Sequence, residues 1–333
     1  MPMFSIITPS YNSWKYMRRY WESLEQQTYE DFEIIIVDDC SNDDTFARLQ
    51  AYVASSQLHI KLFRNDKNYG PGYTRNRGMQ ESSGEWITFV DSDDSVDIKL
   101  LEKAEAVIAT NERAAVPITC IVYDYFAVHN DEKTYMSSMY GDHRGGIQTV
   151  STCIAEVRNH VIGKFYRAEN AKKISFPELK RCEDVAFVCQ AIDACCIEEG
   201  KQVGCVYYLK EALYNYNQRP GSLSNDKRLD DTDMIKAYVI INNKLGKQYA
   251  SEICSKSVPD LLYGVVLMMC KSGKSNVRIK RYILNYEKTY PQWSKSSIIK
   301  KLGKAKIFFL ICVRLRWIAV LKLMSKIHSR MIG

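Results

Sequence analysis

The sequence has no CxxC pair among its eleven cysteines, no Gly-Lys-Ser/Thr at its Asn68–Gly72 loop and no histidines at metal-ligand spacing. Each absence removes a class. An odd cysteine count without framework spacing, including the adjacent Cys195 and Cys196, excludes a disulfide scaffold and reads as reduced, mostly buried thiols of a cytosolic protein. His59, His129, His143, His160 and His328 are too scattered for a zinc site. Met1–Ser5 carries no basic segment leading into a long apolar stretch, so no signal peptide is expected. No run reaches the ~18 uncharged apolar residues of a spanning helix. Leu261–Cys270 stops at Lys271, and Ile307–Val313 stops at Arg314. Repeats and low-complexity tracts are missing too.

Acid is scarce in one place only. Residues 271–333 hold 16 of the 46 Lys and Arg but a single acid, Glu287, a net +15. The remaining residues 1–270 therefore carry −8 of the overall +7. An acidic body with a basic tail points to a tail that meets an anionic surface. The body is not a nucleic-acid binder by charge. At 333 residues, with 46% apolar and 26% charged side chains, the chain is globular, with one large domain and an appendage or two domains.

The first third alternates strands and helices. Phe4–Thr8, Phe32–Val37, His59–Phe63 and Trp86–Val90 read as strands. Ser13–Gln27, Asn42–Ala54 and Gly72–Ser82 read as helices. Such βαβ units predict a mainly parallel sheet with helices on both faces and every strand's C-terminal end on one rim. The middle is mixed. Ile118–His129 and Thr134–Met139 read as strands around a turn at Asn130-Asp131, Glu183–Ala194 as a helix and Val203–Leu209 as a strand. The turn-rich Gly221–Asp226 is the expected domain boundary, with helical patterns beyond it.

Polar residues collect at the predicted rim, where ligands sit in open α/β sheets. Asp91-Ser92-Asp93-Asp94 follows a buried strand, and three carboxylates this close repel unless a cation or donors neutralise them. The spacing suits Mg²⁺ or Mn²⁺ holding a substrate's phosphates, or a solvated turn before a helix from Val96. Asp38-Asp39 ends another strand and could accept base or ribose donors. Tyr11 could stack on a planar base. Asn68–Gly72 with Arg75 and Arg77 is a weak phosphate-side loop.

Phe4–Asn12, Ser23–Tyr29, Phe32–Ser41, Asn68-Tyr69-Gly70, Arg75–Gly78, Gly84–Ile87 and Phe89–Asp94 together, in this order, resemble the family 2 glycosyltransferases. The likeness covers about residues 4–225. It implies a GT-A fold, a nucleotide-sugar donor, a divalent metal (Mn²⁺ or Mg²⁺) and inversion at the anomeric carbon. By position it places Pro9, Tyr11 and Asp39 at the nucleobase, Arg75 near the diphosphate, Asp91 and Ser92 at the ribose or sugar, and Asp93 with Asp91 at the metal, with Asp94 sharing either role. Glu183-Asp184, by itself an ordinary acidic helix N-terminus, resembles the catalytic-base motif, with Asp184 as base and Glu183 at the acceptor. Tyr216, Arg219 and Ser222 lie in a segment resembling the one that closes these domains. Cys40 and Ile98 depart from the common pattern, and neither removes a carboxylate.

These readings predict a GT-A domain over 1–225, made of a donor half (1–115) and an acceptor half (116–225), and a basic helical region over 226–333. The function implied is inverting transfer from a UDP-sugar to a lipid-linked or growing surface polysaccharide, in the cytoplasm at the inner face of a bacterial membrane. A nucleotidyltransferase would want a Gly-rich basic loop where Pro9–Asn12 stands, and the intact carboxylates argue against an inactive scaffold. Drawn as one helix, 300–326 gathers Lys300, Lys301, Lys304, Arg314, Lys322 and Lys326 within about 140°, opposite Phe309, Leu310, Val313, Trp317, Val320 and Leu323. Such a helix suits an anionic lipid interface. A helical cap on the catalytic domain, or a homodimer contact, is the alternative use.

Overall fold

The computed structural model describes residues 1–111, 114–219 and 232–332. It forms two compact units. One comprises Met1–Ser138, Arg144–Val150 and Asn159–Asn225, the other Met139–His143, Ser151–Arg158 and Asp226–Gly333. The expected boundary at Gly221–Asp226 lies outside the described residues.

The first unit is built on one mixed sheet. Strands β1 (Phe4–Ser10), β2 (Phe32–Asp38), β3 (Ile60–Arg64) and β4 (Trp86–Phe89) run parallel in the order β3-β2-β1-β4. Their β-branched and aromatic runs suit burial on both faces, and Ile6, Ile7, Ile34, Ile35, Ile36 and Ile87 are all fully buried. Between them lie α1 (Arg18–Glu25), α2 (Thr45–Ser55) and α3 (Pro71–Glu81). After β4 come the short β5 (Ser95–Val96) and α4 (Leu100–Ala109). The hairpin β6 (Ile118–His129) and β7 (Glu132–Met136) turns at Asn130 and Asp131, both with positive φ, as a tight hairpin loop requires. β8 (Gly146–Gln148), α5 (Val150–Glu156), β9 (Lys164–Arg167), α6 (Ala168–Ala171), α7 (Glu183–Cys196), a small hairpin β10 (Ile197–Glu198) and β11 (Lys201–Gln202), and β12 (Cys205–Asn217) follow. β9 enters antiparallel between β4 and β6, and β12 pairs parallel with β6 and antiparallel with β5 and β8. The sheet is thus parallel through its first four strands and mixed beyond them.

Several boundaries differ from the sequence reading. The helix expected over Ser13–Gln27 is a 3-10 turn at Trp14–Tyr16 followed by α1. Val96 pairs with Tyr214 in a strand instead of opening a helix, and β12 runs eight residues past Leu209.

In the second unit, α8 (Thr232–Leu245), α9 (Ala250–Ser257), a π-helical segment Val258–Val265, α10 (Val266–Lys271) and α11 (Asn276–Thr289) lead to α12 (Lys304–Arg314) and α13 (Ile318–Ile332). Two segments from the middle of the chain join them, with Glu156 held by Lys301 at 2.5 Å and by His143 at 2.6 Å. Ala250–Lys271 forms a continuous helix, long and apolar enough to cross a membrane by length and composition. It is 72% buried within the chain, as a core helix would be. The single helix expected over 300–326 is not there. Gly303 precedes α12, and Arg316, at φ 60°, breaks the path between α12 and α13.

Candidate functional site

The rim loops are fastened to one another before they meet anything else. Asn12, two residues past the end of β1, donates to Asn42 Oδ1 (2.9 Å) and accepts from the Asn42 amide (3.0 Å). Its own amide donates to Ser41 Oγ (2.9 Å). Asp38 is fully buried, and its carboxylate accepts from the Ser41 hydroxyl (2.5 Å) and amide (3.0 Å). Burial pushes its pKa up, and the Ser41 bonds and Arg64 oppose that. Asp38 is therefore a structural brace of the β2 loop.

Asp39 is 4% exposed and accepts three donors: the Asn65 amide group (2.8 Å), the Tyr69 N–H (3.0 Å) and the Gly70 N–H (2.7 Å). A carboxylate has about four acceptor positions, so one remains for a ligand donor. The loop it holds leads into α3. Gly78 lets that helix lie on β1, because a Cβ there would meet Ile7 Cγ2 at 2.5 Å. Pro9 ends up half-buried within β1, and Tyr11 stands 43% exposed beyond it.

α3 carries the residue that organises the site. Arg75 is 6% exposed and donates to Asp91 Oδ1 (2.9 Å) and Glu183 Oε1 (2.8 Å). It joins the acidic loop after β4 to the N-terminus of α7, two places more than ninety residues apart in sequence. Gly72 makes room for this approach, since a Cβ there would stand 3.1 Å from Glu183 Cγ.

The acidic loop is divided among its neighbours. Ser92 is buried. The Asp91 N–H donates to Tyr214 Oη (3.1 Å), and the Tyr214 hydroxyl donates to Asp94 Oδ2 (2.6 Å). The Asn217 amide completes Asp94 at 2.7 Å. Asp94 is 1% exposed, and burial beside Asp93 and Asp91 holds its pKa well above the usual carboxylate range. It anchors the loop to β12. Asp93 pairs with Arg219, whose guanidinium lies 4.2 Å from the Tyr16 ring centre. Its pKa is also raised, by burial first and by Asp91 second.

No group of three or more His, Cys, Asp or Glu converges as a metal cage among the described residues. The donor set is two hard carboxylates, Asp91 and Asp93, ion-paired with Arg75 and Arg219 respectively. Such a pair fits a Mg²⁺- or Mn²⁺-type ion that takes its remaining oxygens from water and phosphates.

Asp184 is half-buried at the start of α7, next to Glu183. Among the described residues it accepts only the neighbouring Val185 amide, at 2.9 Å. Desolvation and the Glu183 charge push its pKa up to about 7, against the pull of Arg75. Of the residues singled out from sequence, Asp91, Arg75, Glu183 and Asp184 thus share one constellation. Ser222 lies outside the described residues. Tyr214 and Asn217, which fix the acidic loop, were not foreseen. A tyrosine and an asparagine late in a strand give no signal of the carboxylate they serve.

Residues 5–164 match the sequence model of Glycosyl transferase family 2. The match spans just under half of the chain, and the residues it covers are similar to that family. Poly(ribitol-phosphate) beta-N-acetylglucosaminyltransferase TarS of Staphylococcus aureus is 39% identical over 111 residues, 32% of this chain and 19% of TarS. A GalNAc(5)-diNAcBac-PP-undecaprenol beta-1,3-glucosyltransferase of Campylobacter jejuni is 38% identical over 98 residues, 29% of this chain and 31% of that protein. The chain therefore aligns with less than a third of either relative's length. The crystal structure of S. aureus TarS 1–349 in complex with UDP-GlcNAc superposes with a TM-score of 0.72 at 22% identity, covering 98% of this chain and 91% of that one. This likeness shows the fold, which is GT-A as expected from the sequence.

Proposed function

We propose that the chain is an inverting glycosyltransferase, moving a sugar from a nucleotide-sugar to a hydroxyl of a lipid-linked or growing surface polysaccharide. The observation that carries this reading is the Arg75 bridge, which ties Asp91 on the donor side to Glu183 beside Asp184. TarS, solved with UDP-GlcNAc, favours a UDP-sugar and a hexosyl or N-acetylhexosaminyl group. The undecaprenol-linked substrate in the Campylobacter relative's name favours a lipid-linked acceptor.

In this reading Pro9, Tyr11 and Asp39 receive the nucleobase, and Asp91 and Ser92 the ribose or sugar. Asp91 and Asp93 would hold a divalent cation. When bound, that ion would neutralise the departing diphosphate. Arg75 spends both terminal nitrogens on Asp91 and Glu183, so its part is to position those carboxylates rather than to grip phosphate. Asp184 takes the acceptor hydroxyl proton as the oxygen bonds to the anomeric carbon and the bond to the diphosphate breaks, with the proton ending on the carboxylate. A base whose pKa lies near 7 is matched to that task at neutral pH. Glu183 orients the acceptor.

The basic C-terminal unit would bring the enzyme to the inner face of a bacterial cell membrane, where such acceptors lie. Incubating the full chain with a panel of nucleotide-sugars and Mn²⁺, and following nucleoside diphosphate release, tests the activity. Release from one UDP-sugar is expected. Neither release nor binding with any donor would overturn the reading.

A further inference from the structure

The C-terminal unit leaves large apolar side chains in water, and on α12 they are not the ones a single helical wheel selects. On that wheel Phe309, Leu310 and Val313 form the apolar side, with Phe308 and Ile311 interrupting the basic one. The folded unit reverses this. Phe309, Leu310 and Val313 are no more than 2% exposed, while Phe308, Ile311 and Leu315 are exposed by 47%, 47% and 49%. At 100° per residue, positions 308, 311 and 315 fall within about 60° of one another, a narrow stripe along α12. Trp317 follows the break at Arg316 and is 50% exposed, and α13 adds Leu323 at 60% and Ile327 at 50%. Single exposed apolar residues need no explanation. A stripe of this kind marks an interaction surface.

Charge decides between occupants. Lys304 lies one turn before Phe308 on the same α12 face, and Arg314 flanks the stripe, both exposed. Lys326 is exposed on α13, and Lys322 half-buried. The one acid in 271–333, Glu287, is paired with Arg316, so it opposes no other cation. A second copy docking here would set two +15 regions against each other. An anionic bilayer meets both the apolar stripe and its basic border.

We propose that Phe308, Ile311, Leu315 and Trp317 enter the boundary between headgroups and acyl chains of an anionic membrane, with Lys304 and Arg314 on the headgroups. The proposal rests on the membrane reading above and names the face that makes the contact.

The test is flotation of the full chain with phosphatidylcholine vesicles containing about one-third phosphatidylglycerol, beside pure phosphatidylcholine. Brominated-lipid quenching of tryptophan fluorescence accompanies it, assigned with Trp317→Phe. The wild type should bind the anionic vesicles at least tenfold better and be quenched, and Trp317→Phe should lose most of the quenching. Ile311→Asp with Leu315→Asp should lower binding at least tenfold, and both sites are exposed enough to spare the fold. Ile147→Asp, at an equally exposed position of the first unit, should leave binding unchanged. No binding by the wild type would overturn the membrane reading itself. Binding by the wild type and by the double variant alike would overturn only the face. Self-association lost in the double variant, without vesicle binding, would assign the face to a second copy.

Discussion

The two acidic clusters of the first unit are neutralised in opposite ways. Around Asp91, Asp93 and Asp94, each carboxylate has its own partner: Arg75, Arg219, and the Tyr214 hydroxyl with the Asn217 amide. At Glu183-Asp184 the Arg75 ion pair goes to Glu183, and among the described residues Asp184 accepts little more than the amide beside it. The first arrangement holds carboxylates in place to be ligands. The second leaves one carboxylate without an ion pair of its own, and burial first and the Glu183 charge second raise its pKa to about 7. The same residue type is thus given a ligand's or a base's character by the partners it is denied.

The sharpest way to break this contrast is Asp184→Asn. Transfer should fall by roughly a hundredfold to ten-thousandfold, while calorimetry finds UDP binding unchanged. Retained transfer would remove Asp184 from the base role. Asp93→Ala should do the reverse, weakening donor binding in Mn²⁺ by about tenfold or more. Equal affinity with and without the substitution would take Asp93 out of the metal site.

A subtler effect is expected at the bridge. Arg75 lowers the Asp184 pKa, so Arg75→Gln should move the acidic limb of kcat/KM from about 7 to higher pH. Arg75→Lys, which restores the charge, should bring it partly back. A limb that stays put would break the link between the clusters.

The smallest effect concerns stability. Asp184 titrates near 3.8 when unfolded and near 7 when folded, so between those values the folded chain keeps a proton that the unfolded chain has released. Its contribution to stability therefore falls as pH rises through that window. Asp184→Asn should gain in melting temperature relative to wild type from pH 4 to pH 7, measured by scanning fluorimetry.

Much of the site was legible because strand ends announce themselves. Alternating apolar runs placed Asp39 and Asp91 on one rim, and the family resemblance singled out Asp184. What could not be read was partnership. Asp94 looks as available as Asp93 in sequence, yet Tyr214, 120 residues later, takes it up. Asp38 likewise looks like Asp39 until Ser41 closes on it. The tail misled for a similar reason. Nothing local to Leu315-Arg316-Trp317, neither glycine nor proline, signals the break, and the buried side of α12 is chosen by the helices it packs on. The joining of 139–143 and 151–158 to the C-terminal helices rests on contacts such as Glu156 with Lys301, 145 residues apart, which periodicity cannot see.

The three donors gathered by Asp39 carry a consequence for the thermodynamics of donor capture. A loop already tied down has surrendered its conformational entropy during folding, so the nucleotide need not supply that ordering on arrival. Asp39→Asn loosens the tie and should transfer the cost to binding. Titration calorimetry would then record a more unfavourable binding entropy in the variant, and an unchanged entropy would mean that the loop is ordered by other means.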